Sequence, residues 1–154
     1  DWLVELVKKT DERFETQVRC EWPEMDLTGY ADLAINGLVY EIKSKHSKAF
    51  WYMDKEGKPN RHHEYQLWTY LKCLNRQEGR IIYISKDDMA VKEFIVRLDD
   101  KELEGEVLNE LNILNEAWEK GLPPKPVEDK NDWRYKYCDI HESHCLKQER
   151  YLNG

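Results

Sequence analysis

Apolar and polar residues alternate between Phe14 and Trp22. Phe14, Thr16, Val18, Cys20 and Trp22 are interleaved with Glu15, Gln17, Arg19 and Glu21 until Pro23 stops the pattern. A period of two with one apolar side predicts a half-buried strand, with Cys20 in the core. Ahead of it, Leu3, Leu6 and Val7 between Trp2 and Lys9 carry a short helical pattern. Behind it, two alternating runs flank Asn36-Gly37 in the stretch TGYADLAINGLVYEIKS, residues 28–44. Asn-Gly in that setting predicts a hairpin with a two-residue type I′ turn.

That turn fixes a register. Ile35 falls opposite Leu38, Ala34 opposite Val39, Leu33 opposite Tyr40, and Asp32 opposite Glu41. Directly opposed side chains lie about 4.5–5.5 Å apart at Cβ, and like charges there destabilise a sheet. A hard divalent cation offsets the repulsion, because it takes carboxylate oxygens as ligands. Lys43, two residues beyond Glu41, shares the same face. The plain alternative is a solvated hairpin of mixed charge, with Lys43 as an ion-pair partner.

Further along, Ser47 to Asn60 reads as a loop containing Gly57, Pro59 and the cluster Phe50-Trp51-Tyr52. Those aromatics could stack on bases or wedge between DNA strands, although such residues more often pack back on the domain. Arg61 to Arg76 predicts a helix with Tyr65, Trp68 and Leu71 on its apolar stripe, and with Gln66 and Tyr70 four residues apart on a shared face with His63. Arg80–Ser85 and Val91–Leu98 predict strands joined by the Lys86-Asp87-Asp88 turn. A long amphipathic helix follows from a cap at Asp99 or Asp100 through Leu103, Val107, Leu111, Leu114 and Trp118, and Gly121 with Pro123-Pro124 ends it. The order implies an α+β fold, a central mixed sheet flanked by helices. The reading is one domain over 1–154, with 122–154 a polar C-terminal tail.

Composition narrows the partners. With 154 residues, 40% hydrophobic and 36% charged, the chain can bury a core beneath a heavily ionised surface. The net charge of −7 argues against a protein that coats nucleic acid nonspecifically. The distribution matters more: Lys43, Lys45, Lys48, Lys55, Lys58 and Arg61 face only Asp54 and Glu56 in the same stretch, whereas Asp99 to Glu119 is dominated by acids. A basic rim suits an enzyme gripping a phosphate backbone, or an ordinary lysine-rich loop. No apolar run reaches the length of a membrane span or looks like a signal peptide, so the natural reading is a soluble protein of the cytoplasm with no membrane partner. Cysteines in such a compartment are buried thiols or metal ligands rather than disulfides, and Cys73 on the second helix reads as core.

Gly29, Asp32 and the triplet Glu41-Ile42-Lys43 resemble the signature of the PD-(D/E)XK nuclease superfamily, and Gln66 with Tyr70 resembles the Gln-x-x-x-Tyr helix motif of its RecB-like exonuclease branch, which includes the CRISPR-associated exonucleases. The resemblance covers about residues 27–74. It implies a restriction-endonuclease-like αβββαβ core. It also implies a Mg²⁺- or Mn²⁺-dependent nuclease acting on DNA in repair, recombination or phage replication, in a bacterial, archaeal or phage-infected cell. Asp32, Glu41 and Lys43 would be catalytic. Asp32, Glu41 and the main-chain carbonyl of Ile42 would hold the metal, while Lys43 orients or deprotonates the attacking water or stabilises the phosphorus oxygens. Gln66 and Tyr70 would contact substrate, and Lys45 and His63 are further candidates for it.

Two departures from the branch pattern stand out. No His precedes Asp32, so that ligand lies before residue 1 or Glu5 replaces it. Near the C terminus the branch carries a Trp-x-Cys-x-x-Cys arrangement for an iron–sulfur cluster. Here Trp133 is followed by Tyr135 in place of one Cys, then by Cys138 and Cys145. Two thiolates cannot hold a cubane alone. Cys138, His141, His144 and Cys145 could instead converge on Zn²⁺, or the thiols could pack as small apolar groups. Exonuclease action is the leading expectation, by the chain alone, as a homo-oligomer or within a larger complex. A superfamily endonuclease, or a catalytically silent nucleic-acid-binding or assembly module of the same fold, are the alternatives.

Overall fold

Asn36 and Gly37 both take left-handed backbone angles, with φ of 52° and 87°. This is the geometry a type I′ turn demands, and it closes the hairpin of β2 (Leu27–Ile35) on β3 (Leu38–Lys45). In the computed structural model, which describes residues 14–121, five strands form one sheet in the order β1-β2-β3-β4-β5. β1 is Phe14–Trp22, β4 is Glu78–Ser85 and β5 is Val91–Arg97. β3 and β4 run parallel and the other neighbours antiparallel, so the sheet is mixed as the sequence predicts.

The predicted register holds for Ile35↔Leu38, Ala34↔Val39 and Leu33↔Tyr40, and the ladder stops there. Asp32 and Glu41 are therefore not a backbone pair. In place of a ladder bond, the Ile42 amide donates to Asp32 Oδ2 at 2.8 Å. On the other side of β2 the ladder also omits Asp32: Thr16↔Leu33 and Val18↔Ala31 pair, but Gln17 and Asp32 do not, and Gln17 has φ 52°. This interruption corrects the expectation of one unbroken apolar side from Phe14 to Trp22. Val18, Cys20 and Trp22 join the core, whereas buried Leu33 lies outside that cluster.

Two helices make the connection between the parallel strands β3 and β4. α1 (Ser47–Glu56) occupies the stretch predicted as a loop. Its first amide, that of Ser47, is capped by Asp87 Oδ2 at 2.9 Å from the β4–β5 turn, a partner 40 residues away that local sequence cannot reveal. Gly57 closes it at φ 64°. α2 (Arg61–Leu74) starts at an Asn60 cap, whose side chain accepts from the His62 amide at 3.0 Å, and ends at Asn75 in left-handed geometry. It lays Leu67, Trp68 and Leu71 on the sheet, and the Trp68 indole donates to the Leu98 carbonyl. Contact is close enough that a Cβ on Gly79 would lie 2.8 Å from the Val39 carbonyl and 3.0 Å from Leu67.

α3 (Lys101–Lys120) begins as expected, with Asp100 Oδ1 accepting from the Leu103 amide at 3.0 Å. Leu103 and Val107 are buried in the core. Glu106 accepts from Arg61 and Tyr65 of α2, at 2.8 and 2.6 Å. By internal packing, residues 1–112 and 113–154 form two compact units, and the sheet belongs to the first. Among the described residues no helix is long and apolar enough to cross a membrane. The predicted helix at Trp2–Lys9 and the tail from residue 122 lie outside the described residues.

Candidate active site

β3 carries the centre of the site. Because it pairs with β4 through Glu41↔Ile81 and Lys43↔Tyr83, Glu41 is held in the middle of the sheet and is only 2% exposed. Its Oε1 lies 2.5 Å from Lys43 Nζ, while its Oε2 is buried with no hydrogen-bond partner among the described residues. Burial raises the Glu41 pKa, the bond to Lys43 lowers it, and the charge of Asp32 raises it again. Asp32 is thus near enough to be felt, although the two are not ladder partners.

Lys43 reaches a second acceptor, Gln66 Oε1 of α2, at 3.0 Å. An ammonium can only donate, so the Gln66 carbonyl must face Lys43 and its amide nitrogen must face away. That nitrogen donates to the Tyr70 hydroxyl oxygen at 3.0 Å. Tyr70 therefore accepts from Gln66 and keeps its own proton for another oxygen. Burial is the main influence raising the Tyr70 pKa, so the hydroxyl stays protonated at neutral pH. Gly29 makes room for this ring: a Cβ there would lie 3.0 Å from Tyr70 Cε1 and 3.3 Å from its hydroxyl oxygen.

Lys45 and His63 meet at a residue the sequence reading did not single out. Lys45 Nζ is 5.3 Å from the centre of the Tyr83 ring, and His63 Nδ1 is 2.6 Å from the Tyr83 hydroxyl. The Asn60 amide donates to that hydroxyl at 3.0 Å. Which of His63 Nδ1 and the Tyr83 hydroxyl donates in their bond follows the tautomer of the imidazole. Burial first, then the charges of Lys43 and Lys45, push the His63 pKa down to about 4. The imidazole is neutral at physiological pH. Tyr83 stands on β4 opposite Lys43 in the parallel register, a pairing that local sequence does not show.

Asp32, Glu41, Ile42, Lys43, Gln66 and Tyr70 are thus joined by direct bonds or close charge interaction, and Lys45 and His63 by way of Tyr83. Glu5, Cys138, His141 and Cys145 lie outside the described residues. Cys20 is buried and Cys73 is packed against the core, as expected. The donor set fits a hard divalent cation. Two carboxylates are close, one has an unpartnered oxygen, and the Ile42 carbonyl leaves the same edge of β3 as the amide bonded to Asp32. Among the described residues no three His, Cys, Asp or Glu side chains converge, so the remaining ligands would be main-chain or water oxygens.

Several solved structures share this fold. The alkaline exonuclease LHK-Exo of Laribacter hongkongensis aligns with a TM-score of 0.54 at 22% identity, over 77% of this chain and 67% of its own. The same exonuclease in complex with dAMP gives 0.54 at 24%. SSO0001 gives 0.52 at 23%, over 92% of this chain and 64% of its own. A phage-related exonuclease from Haemophilus somnus 129PT gives 0.50 at 14%, over 77% and 65%. This chain spans about two thirds of the length of each. No protein-family model matches the chain, and no curated protein does. The chain shares its fold with these structures, exonucleases among them.

Proposed function

We propose that this chain is a Mg²⁺- or Mn²⁺-dependent deoxyribonuclease of the RecB-like type, acting as an exonuclease in repair, recombination or phage replication. The observation that carries the reading is the buried Glu41 carboxylate. One of its oxygens is bonded to Lys43, the other has no partner, and Asp32 stands beside it. A purely structural ion pair gains nothing from a second, unsatisfied buried oxygen, which costs stability. The exonuclease neighbours, LHK-Exo among them, support the same class.

Asp32, Glu41 and the Ile42 carbonyl would hold the cation, which supplies charge to polarise a phosphoryl oxygen and lower the pKa of a water. Lys43, fixed between Glu41 and Gln66, orients the attacking water and places its ammonium where negative charge grows on phosphorus oxygens. Gln66 holds Lys43 and Tyr70 in one chain of hydrogen bonds, and the Tyr70 proton is available to a substrate oxygen. Lys45 offers a phosphate contact, and neutral His63 a further hydrogen-bonding group.

Two other readings lead to different products. A superfamily endonuclease would cut closed circular DNA, whereas an exonuclease needs an end. A silent binding module would need only the bond from Lys43 to Glu41 Oε1, which forms without chemistry. The test is incubation of the full chain with linear and covalently closed DNA in Mg²⁺ or Mn²⁺. Mononucleotides or short products from linear DNA alone are expected. Cleaved circles would establish the endonuclease, and intact DNA of both kinds the binding module.

A further inference from the structure

The aromatic cluster on α1 is divided by the fold. Phe50 packs against the core and Met53 is buried within it, but Trp51 and Tyr52 remain 55% and 51% exposed. The two exposed rings meet edge to face, 5.0 Å between centres and 70° between planes. Lys55 Nζ lies 5.2 Å from the Trp51 ring centre. Beside them an open hollow of about 580 Å³ is lined by Lys48, Phe50, Trp51, Tyr52, Asp54 and Asp88, among others. That volume lies in the range of small-ligand sites. Two large aromatics left in water at a cleft have no folding benefit, since burying them would stabilise the chain.

The charges around the hollow select its occupant. Asp54 is neutralised by Lys92 at 2.7 Å, and Asp88 accepts from the Ala90 amide at 3.3 Å. Residues 45–58 hold Lys45, Lys48, Lys55 and Lys58 against Asp54 and Glu56, a local excess of positive charge although the whole chain carries −7. Lysines and exposed flat rings together suit one kind of ligand, a single-stranded nucleic acid whose unpaired bases can stack while its phosphates meet lysines. A duplex keeps its base faces covered and cannot use the rings in this way. Ser47, which lines the hollow, also lies close in the chain to the candidate active centre. Ser47 follows Lys43 by four residues, so the start of α1 lies within about 14 Å of it along the chain.

We propose that α1 is a base-stacking subsite for the single-stranded end of the DNA substrate, with Trp51 and Tyr52 as stacking surfaces and Lys48 and Lys55 as phosphate contacts. The proposal rests on the nuclease reading for its substrate and deepens it: the strand being degraded is held by its unpaired bases beside the point of cleavage. Tyr52 stacks one base and the uncovered face of Trp51 another. Neither contact reads sequence, because every base has a π-face.

The experiment is fluorescence anisotropy of labelled oligothymidylate, an abasic oligonucleotide of the same length and a blunt duplex, all with chelator so that nothing is hydrolysed. The full-length wild type is compared with Trp51→Ala/Tyr52→Ala and Trp51→Phe/Tyr52→Phe. The alanine pair should weaken oligothymidylate binding by roughly ten-fold or more, leave abasic and duplex binding unchanged, and be largely restored in the phenylalanine pair. Equal affinity of the alanine pair for oligothymidylate, an equal loss on the abasic strand, or no wild-type binding of oligothymidylate would overturn the subsite. Because binding is read without metal, a protein that stacks DNA but never cleaves it refutes the nuclease reading alone.

Discussion

Glu41 and Lys43, two residues apart on β3, form an ion pair at 2.5 Å that satisfies only half of the buried carboxylate. The other oxygen is without a partner in the interior, where an unpaired charge is costly. Replacing Glu41 with Gln keeps the shape and removes the charge. Lys43 then loses its counter-charge, so the metal-free variant should unfold at a lower temperature than the wild type, by the equivalent of about 1–3 kcal/mol. Millimolar Mn²⁺ should raise the melting temperature of the wild type and leave that of Glu41→Gln unmoved. Calorimetric melts with and without the ion check both.

Gly29 faces the Tyr70 ring, where a methyl group would make tight contacts of 3.0 and 3.3 Å. Gly29→Ala pushes the ring back by a few tenths of an ångström and strains its bond to Gln66. Nucleotide release should fall roughly ten- to a hundred-fold, with a loss of stability of about 1–2 kcal/mol. Tyr70→Phe keeps the ring in place and removes the hydroxyl. Its activity should fall comparably while the melting temperature changes little, which separates the hydroxyl from the packing.

The fold was legible wherever the signal was local. Alternation gave β1, Asn36-Gly37 gave the hairpin and three of its four predicted pairs, and the Asp100 cap gave the start of α3. What sequence could not supply came from distant partners. α1 was missed because Asp87 caps it from across the fold, and because its successive aromatics hide the helical stripe. Asp32 could be placed beside Glu41, but not the break of the ladder around it, since the bond from the Ile42 amide replaces a regular pair. Tyr83 escaped notice because its role depends on the parallel pairing of β3 and β4. The motif positions themselves were readable, since hairpin spacing and the i, i+4 spacing of Gln66 and Tyr70 are local properties.

His63 sits between the Tyr83 hydroxyl and the charges of Lys43, Lys45 and His62, which with burial hold its pKa near 4. In the unfolded chain an ordinary histidine titrates near 6.5. Between those values the unfolded state binds a proton that the native state does not, so stability falls as pH drops from about 6.5 to 4. Allowing for partial exposure of the ring, the loss should be about 1–2 kcal/mol. Urea unfolding at successive pH values should show this slope in the wild type and a shallower one in His63→Gln.

The most direct measurement is hydrolysis of end-labelled linear single- and double-stranded DNA by a protein that includes every residue of its N terminus. Mg²⁺ and Mn²⁺ are titrated, with Lys43→Ala and a chelator alongside. The account predicts metal-dependent release of short products by the wild type, loss of that release by at least a hundred-fold in Lys43→Ala, and none with chelator. Undiminished release by Lys43→Ala, or no release by the wild type with either metal, would contradict it.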